Sequence, residues 1–188
     1  MLNKIFIFAF ITVSFSALDE YQTKEEYYNK GLVYIQQENY ESAFYYMKKA
    51  SELGSVLAQN NLGVLYGLGH GTDVDIERSN YWIEKAAHGG SAAAQNTLGC
   101  FYKDALNGFE QNYEKANYWF EKAAKQGCPF AQYNLAMAYR YGQGFEINFT
   151  EALKWFAEST FQGDEIAKQE LDKLIEELKL AKKAMSAQ

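Results

Sequence analysis

The sequence predicts an all-α fold: a short solenoid of α/α hairpin repeats closed by a C-terminal capping helix. Three observations carry this. A single proline, Pro129, stands among 188 residues, so little interrupts helices. Anchor residues return in one phase every 36 or 37 positions, a period suited to a repeated pair of helices. Within each period apolar residues stand three and four apart, which places them on one helix face.

The elements follow in order. Lys4 precedes an apolar stretch from Ile5 to Val13, and the small residues Ser14 and Ser16 come next. That is the order of a secretory signal, so residues 1–16 are read as a signal peptide cleaved after Ser16. The apolar stretch is short for a bilayer span. Cleavage removes Lys4 and takes the net charge from −6 to −7.

Four hairpin units come next, over residues 21–55, 56–91, 92–128 and 129–164. Gly54, Gly90, Gly127 and Gly163 end their second helices. Ala58, Ala94, Ala131 and Ala167 mark the helices that follow, and Tyr46, Trp82, Trp119 and Trp155 keep the same phase. So do Leu62-Gly63, Leu98-Gly99 and Leu135-Ala136, with Tyr66, Tyr102 and Tyr139. In the third unit Ala94, Leu98 and Tyr102 line one face of the first helix. Gly99 beside them lets a neighbouring helix approach closely, which offsets the roughly 1 kcal/mol that glycine costs a helix. The second helix carries Ala116, Trp119, Phe120 and Ala123 at helical spacing. Loops join the helices, and Gly67-Leu-Gly-His-Gly71 and Gly142-Gln-Gly144 need glycine for positive φ. The first unit has the shorter link Gln36-Gln-Glu-Asn39. Residues 165–188 form the capping helix. Leu171, Leu174, Leu178 and Ala181 face the last repeat, and Lys, Glu and Asp face water.

Composition excludes several functions. A net charge of −6 repels phosphate, so nucleic acid is not an expected partner. Two cysteines exclude a disulfide-dense miniature fold. No long apolar run follows the first 18 residues, so membrane contact is expected only if the signal segment stays uncleaved. His70 and His88 have no partners at metal-ligand spacing; Asp73 and Asp75 share the His70 loop but are read as solvated. The glycines of Gly67–Gly71 follow a helix and not a strand, so they do not make a nucleotide loop. No metal or small-molecule cofactor is expected. Asn148-Phe-Thr150 matches a glycosylation sequon, which matters only in a eukaryotic secretory route.

Three units resemble Sel-1-like repeats, a class similar to tetratricopeptide repeats. The residues are Leu62-Gly63 with Tyr66, Gly69-His-Gly71, Tyr81-Trp82, Lys85-Ala-Ala87 and Ala94-Gln95. They recur as Tyr118-Trp119-Phe120, Lys122-Ala-Ala124 and Ala131-Gln132. The fourth unit departs, with Ala136 for glycine and Glu158-Ser159 for Lys-Ala. The first unit, with its short link, resembles a tetratricopeptide repeat. The resemblance implies hairpins stacked into a right-handed superhelix, first helices lining a concave groove that takes extended peptides or helices. Some secreted relatives are cysteine-rich, with a bridge stapling each hairpin. Cys100 and Cys128 depart from that placement, yet two cysteines in an exported chain invite a disulfide.

Groove residues are expected one position after, three before and four after the packing glycine or alanine. From these registers Tyr28, Asn60, Asn96, Lys103, Tyr133, Met137 and Arg140 are the candidate binding residues. Asparagine amides suit a peptide backbone, and Lys103 and Arg140 suit a partner's carboxylate. The regular tryptophans and tyrosines are expected in the core. The expected function is a non-enzymatic adaptor, exported to the periplasm or secreted by a bacterial route, binding another protein or a peptide. The alternative is a weak β-lactam-binding or β-lactamase-like enzyme of the cysteine-rich type. Ser-x-x-Lys, Lys-Thr-Gly and a nucleophile elbow are all missing, so no catalytic residue is assigned.

Overall fold

The structure is a computed structural model describing residues 23–186, so the expected signal segment lies outside the described residues. The regular structure of those residues is all α-helix, without a strand. The helices are α1 (residues 23–36), α2 (Tyr40–Glu52), α3 (Val56–Leu68), α4 (Ile76–His88), α5 (Ala92–Asp104), α6 (Tyr113–Lys125), α7 (Pro129–Tyr141), α8 (Phe149–Phe161) and α9 (Glu165–Met185). They form two compact units, one ending at Gly89 and the other beginning at Gly90. None is long and apolar enough to cross a membrane.

The caps explain where the helices start. Ser55 and Ser91 accept hydrogen bonds from the amides of Ala58 and Ala94 at 3.3 and 3.2 Å. Asn39, Asp75, Asn112 and Asn148 do the same for α2, α4, α6 and α8. Asn148, the sequon residue, is therefore used as a cap. Cys128 takes the serine place before α7 and accepts nothing there; Pro129, which has no N–H to satisfy, follows it. Gly69 and Gly142 close α3 and α7 in the left-handed region, whereas α5 closes on Ala105 at φ 53°.

In the compact unit ending at Gly89, Met47, Leu62 and Tyr66 are buried together, with Tyr28 and Trp82 against them. The second unit holds two clusters. Phe120, Ala123 and Leu135 make one, and Ala136, Phe156, Ala167 and Leu174 make the other; Trp155 touches both. Trp119 is thus buried and Trp82 and Trp155 are partly buried against the core, with lysines over the rings. Lys85, Lys122 and Lys154 stand 4.8, 5.4 and 5.3 Å from the rings of Trp82, Trp119 and Trp155.

The small residue after each core leucine sets the hairpin spacing. A Cβ on Gly63 would lie 2.7 Å from Ile83 Cγ1, and one on Gly99 would lie 2.5 Å from Phe120 Cε1. Substituting Gly99→Ala gains about 1 kcal/mol of helix propensity but forces the buried Phe120 ring aside at a cost of ~1–3 kcal/mol. The expected outcome is a net loss of about 1 kcal/mol, read as a lower urea midpoint, with a near-ultraviolet change from the displaced aromatic packing.

Candidate functional site

The site is built on α5, α7 and α9. Asn96, Cys100 and Lys103 are spaced four and three apart along one face of α5. Asn134 of α7 reaches all three. Its Nδ2 donates to Asn96 Oδ1 at 3.2 Å and lies 3.9 Å from Cys100 Sγ, and its Oδ1 accepts from Lys103 Nζ at 3.5 Å. Lys103 also lies 3.4 Å from Asp104 and stays partly exposed. The amide N–H groups of Asn96 are engaged by no described residue. One asparagine thus arranges a donor amide and a cation along a polar strip. Asn134 lies outside the three expected registers, two positions before the packing residue. Asn29 and Asn61 hold the equivalent place in the first and second repeats, a recurrence legible in the sequence.

In the compact unit ending at Gly89, Asn61 hydrogen-bonds with Tyr28, whose phenol is pushed up in pKa by burial and then by Glu25. Asn60 Nδ2 donates to Asn61 Oδ1 at 3.4 Å. The buried Asn60 Oδ1 accepts from no described residue. Tyr28 and Asn60 therefore make a polar pair with Asn61, the same chemistry as the α5–α7 strip.

The other expected residues lie elsewhere. Tyr133 and Met137 flank the cluster around Phe156 and Leu174 and help seat α9. Burial raises the Tyr133 phenol, and Glu170 and Asp164 add to it. Arg140 is a correction. It was expected to meet a partner's carboxylate, but its side chain is only 7% exposed and already holds two. Nη1 donates to Glu170 Oε2 at 2.7 Å, and Nη2 donates to Glu177 at 2.8 and 2.9 Å. The planar fork fits this geometry, and the two acids one heptad apart on α9 face it together. The groove reading missed this because the carboxylates lie outside the repeat, on the cap.

Cys100 and Cys128 stand as free thiols beside one core cluster, not as a bridge. Cys128 sits at the α7 cap, and Cys100 turns its sulfur to Asn134. Burial pushes the Cys100 thiol up, which keeps it protonated and a poor nucleophile. Among the described residues no three His, Cys, Asp or Glu side chains cluster to hold a metal ion.

A second polar device ties the repeats together. Gln132 Nε2 donates to the carbonyl of Ala124 in the preceding unit at 3.3 Å, while its Oε1 accepts from Gln162 Nε2 at 2.7 Å. Gln126 and Gln95 form the equivalent pair at 2.7 Å. The glutamine of the Ala-Gln motif is therefore a buried staple rather than a binding residue.

The Sel1 repeat family model matches residues 26–55, 56–91, 92–128 and 129–164, and so includes the unit with the short link. The chain belongs to the Sel1 repeat family. Proteins of this family generally mediate protein–protein interaction and generally serve as non-enzymatic scaffolds. Among solved structures it is similar to c5321, a protective antigen of uropathogenic Escherichia coli strains with an SLR fold, at 32% identity and a TM-score of 0.73. It is also similar to a Sel1 repeat protein from Oxalobacter formigenes, at 27% identity and a TM-score of 0.74. Each match covers 80% of this chain, but 33% of the first protein and 62% of the second. A search of curated proteins finds no match.

The Arg140 clamp predicts a pH effect. Lys173, then Arg140, hold the Glu170 carboxyl below its ordinary range. A depressed carboxylate contributes stability above its unfolded pKa and loses it as pH falls through the folded value. Arg140→Ala is expected to destabilise the protein at pH 7 by about 2 kcal/mol, less than a fully buried pair because Glu177 is half exposed. The gap to the unmodified protein should close on acidification below about pH 4, the carboxylate range. Thermal melts at stepped pH check both.

Proposed function

We propose that this protein is an exported, non-enzymatic adaptor that binds a peptide or helix of another protein along the first helices of its repeats. The observation that supports it is the α5–α7 strip. Asn134 holds Asn96 and Lys103 so that amide N–H groups and an ammonium stand in line. A peptide carbonyl suits the amide and a carboxylate suits the ammonium. Asn96 and Lys103 stand two turns apart on α5, about 10.5 Å, so a ligand would meet them through groups separated along its length. Export rests on the order of residues 1–16, and the periplasm or the medium is the proposed location.

Two measurements test this. Mass spectrometry of the exported chain should find an N-terminus at Ala17; an intact Met1 would point to an uncleaved anchor. Affinity capture from cell envelopes should recover a partner with the mature protein. The pair Asn96→Ala and Lys103→Glu should lower recovery at least tenfold, whereas Tyr118→Ala on α6 should not. Equal recovery by the strip variant would overturn the assignment. Arg140 is left unchanged, because its removal acts on stability.

A further inference from the structure

We propose that the corner where α8 turns into α9 is a second docking surface, for a basic segment of another protein that also carries apolar side chains. This corner is distinct from the α5–α7 strip. It begins with three large apolar side chains in water. Phe161, the last residue of α8, is 91% exposed; Phe130 and Ile166, each second in its helix, are 66% and 63% exposed. Two hollows are lined by them. One, of about 380 Å³, is lined by Ala157, Glu158 and Phe161. The other, of about 370 Å³, runs between Phe130 and Ile166 past Gln162, Asp164 and Glu165.

The repeat pattern shows that folding does not require these residues. Where the last unit has Phe161, the earlier ones have Glu52, His88 and Lys125. Where it has Glu158, they have Lys49, Lys85 and Lys122. A polar position has become aromatic and a cation has become an anion, one turn apart on the same helix. Glu158 is ion-paired with no described residue, and Phe161 enters no core cluster. Single exposed apolar residues are ordinary, but three around one corner form a patch of the kind that partners cover.

The corner is also held in place. Ser159, which replaces alanine of the earlier units, is fully buried. Its hydroxyl lies 2.9 Å from the Pro129 carbonyl and 2.9 Å from Asp164 Oδ2. Asp164 Oδ1 in turn accepts from the amides of Ile166 and Ala167 at 3.0 Å. The start of α7, the end of α8 and the start of α9 are thereby tied together, so the hollows are preformed and little ordering is needed on binding.

Charge selects the occupant. Glu158, Asp164 and Glu165 line the two hollows with no cation among the lining residues, although Glu165 also lies 3.8 Å from Lys168. Anionic headgroups and nucleic acid are repelled by this rim, and so is a second copy of a chain whose net charge is −6. A segment with apolar side chains flanked by Lys or Arg fits both the patch and the rim.

The test uses a fluorescein-labelled amphipathic peptide of Lys, Leu and Phe, and a twin with Glu for every Lys. Anisotropy titration with the purified full chain should show saturable binding of the basic peptide, at least tenfold tighter than of the twin. Phe161→Ser combined with Glu158→Lys should weaken it at least tenfold with an unchanged melting midpoint, since both side chains are exposed. Glu114→Lys, a charge change on α6, and the Asn96/Lys103 variant should bind as the unmodified chain does. Equal binding of both peptides, or undiminished binding by the Phe161/Glu158 variant, overturns the proposal. So does a dimer in sedimentation that Phe161→Ser dissociates, or Phe161-dependent binding to phosphatidylglycerol vesicles, since each names another occupant.

Discussion

The structure depends on how closely two helices can cross within a hairpin. At Gly63 and Gly99 the facing side chain fills the space a Cβ would need, so the residue size at one register sets the hairpin spacing. Helices at short distance bury side chains on three sides, which is how 13-residue helices such as α5 and α6 acquire a core that neither could make alone. The fourth unit shows that the limit is local. Ala136 occupies the same register against Phe156, and both are fully buried. A methyl group is accommodated there once the opposing ring is seated accordingly.

Polar groups then set how one hairpin follows another within the second unit. An apolar stripe can slide along its neighbour at little cost, but a buried amide that must meet its partners cannot. Gln132 satisfies a carbonyl of the preceding α6 and takes a hydrogen bond from the end of α8, so three helices are held by one side chain. Ser159 does similar work at the end of the array, where the last hairpin meets the cap. Arg140 completes the seat of α9 with two carboxylates from outside the repeat. The motif residues that stand out most in the sequence are therefore largely those that build the scaffold.

That bears on function. Lys103, Glu158 and Phe161 differ from their counterparts in other repeats, whereas Asn96 recurs as Asn60 and Asn134 as Asn29 and Asn61. Burial and repeat geometry account for the invariant positions of the array; they do not account for the three that differ. A scaffold whose packing is met by a few fixed registers is free to change the others, which is how one fold serves many partners.

The sequence by itself determined the helical class, the hairpin period, the packing role of Gly99 and the core role of the tryptophans. All of these are local or periodic, and a repeated phase reports them directly. It also pointed to Asn96 and Lys103 as neighbours on one helix face, since helical spacing alone places them there. Only the tertiary structure decided what meets those residues. Asn134 joins the strip from another helix at a register that period alone does not single out. Arg140 resembles a free groove cation until Glu170 and Glu177 arrive from α9. Cys100 and Cys128 are near a common core yet unpaired, because one faces an amide and the other begins a helix. In each case the deciding partner comes from a separate element, and a side chain's role depends on which group reaches it first across the fold.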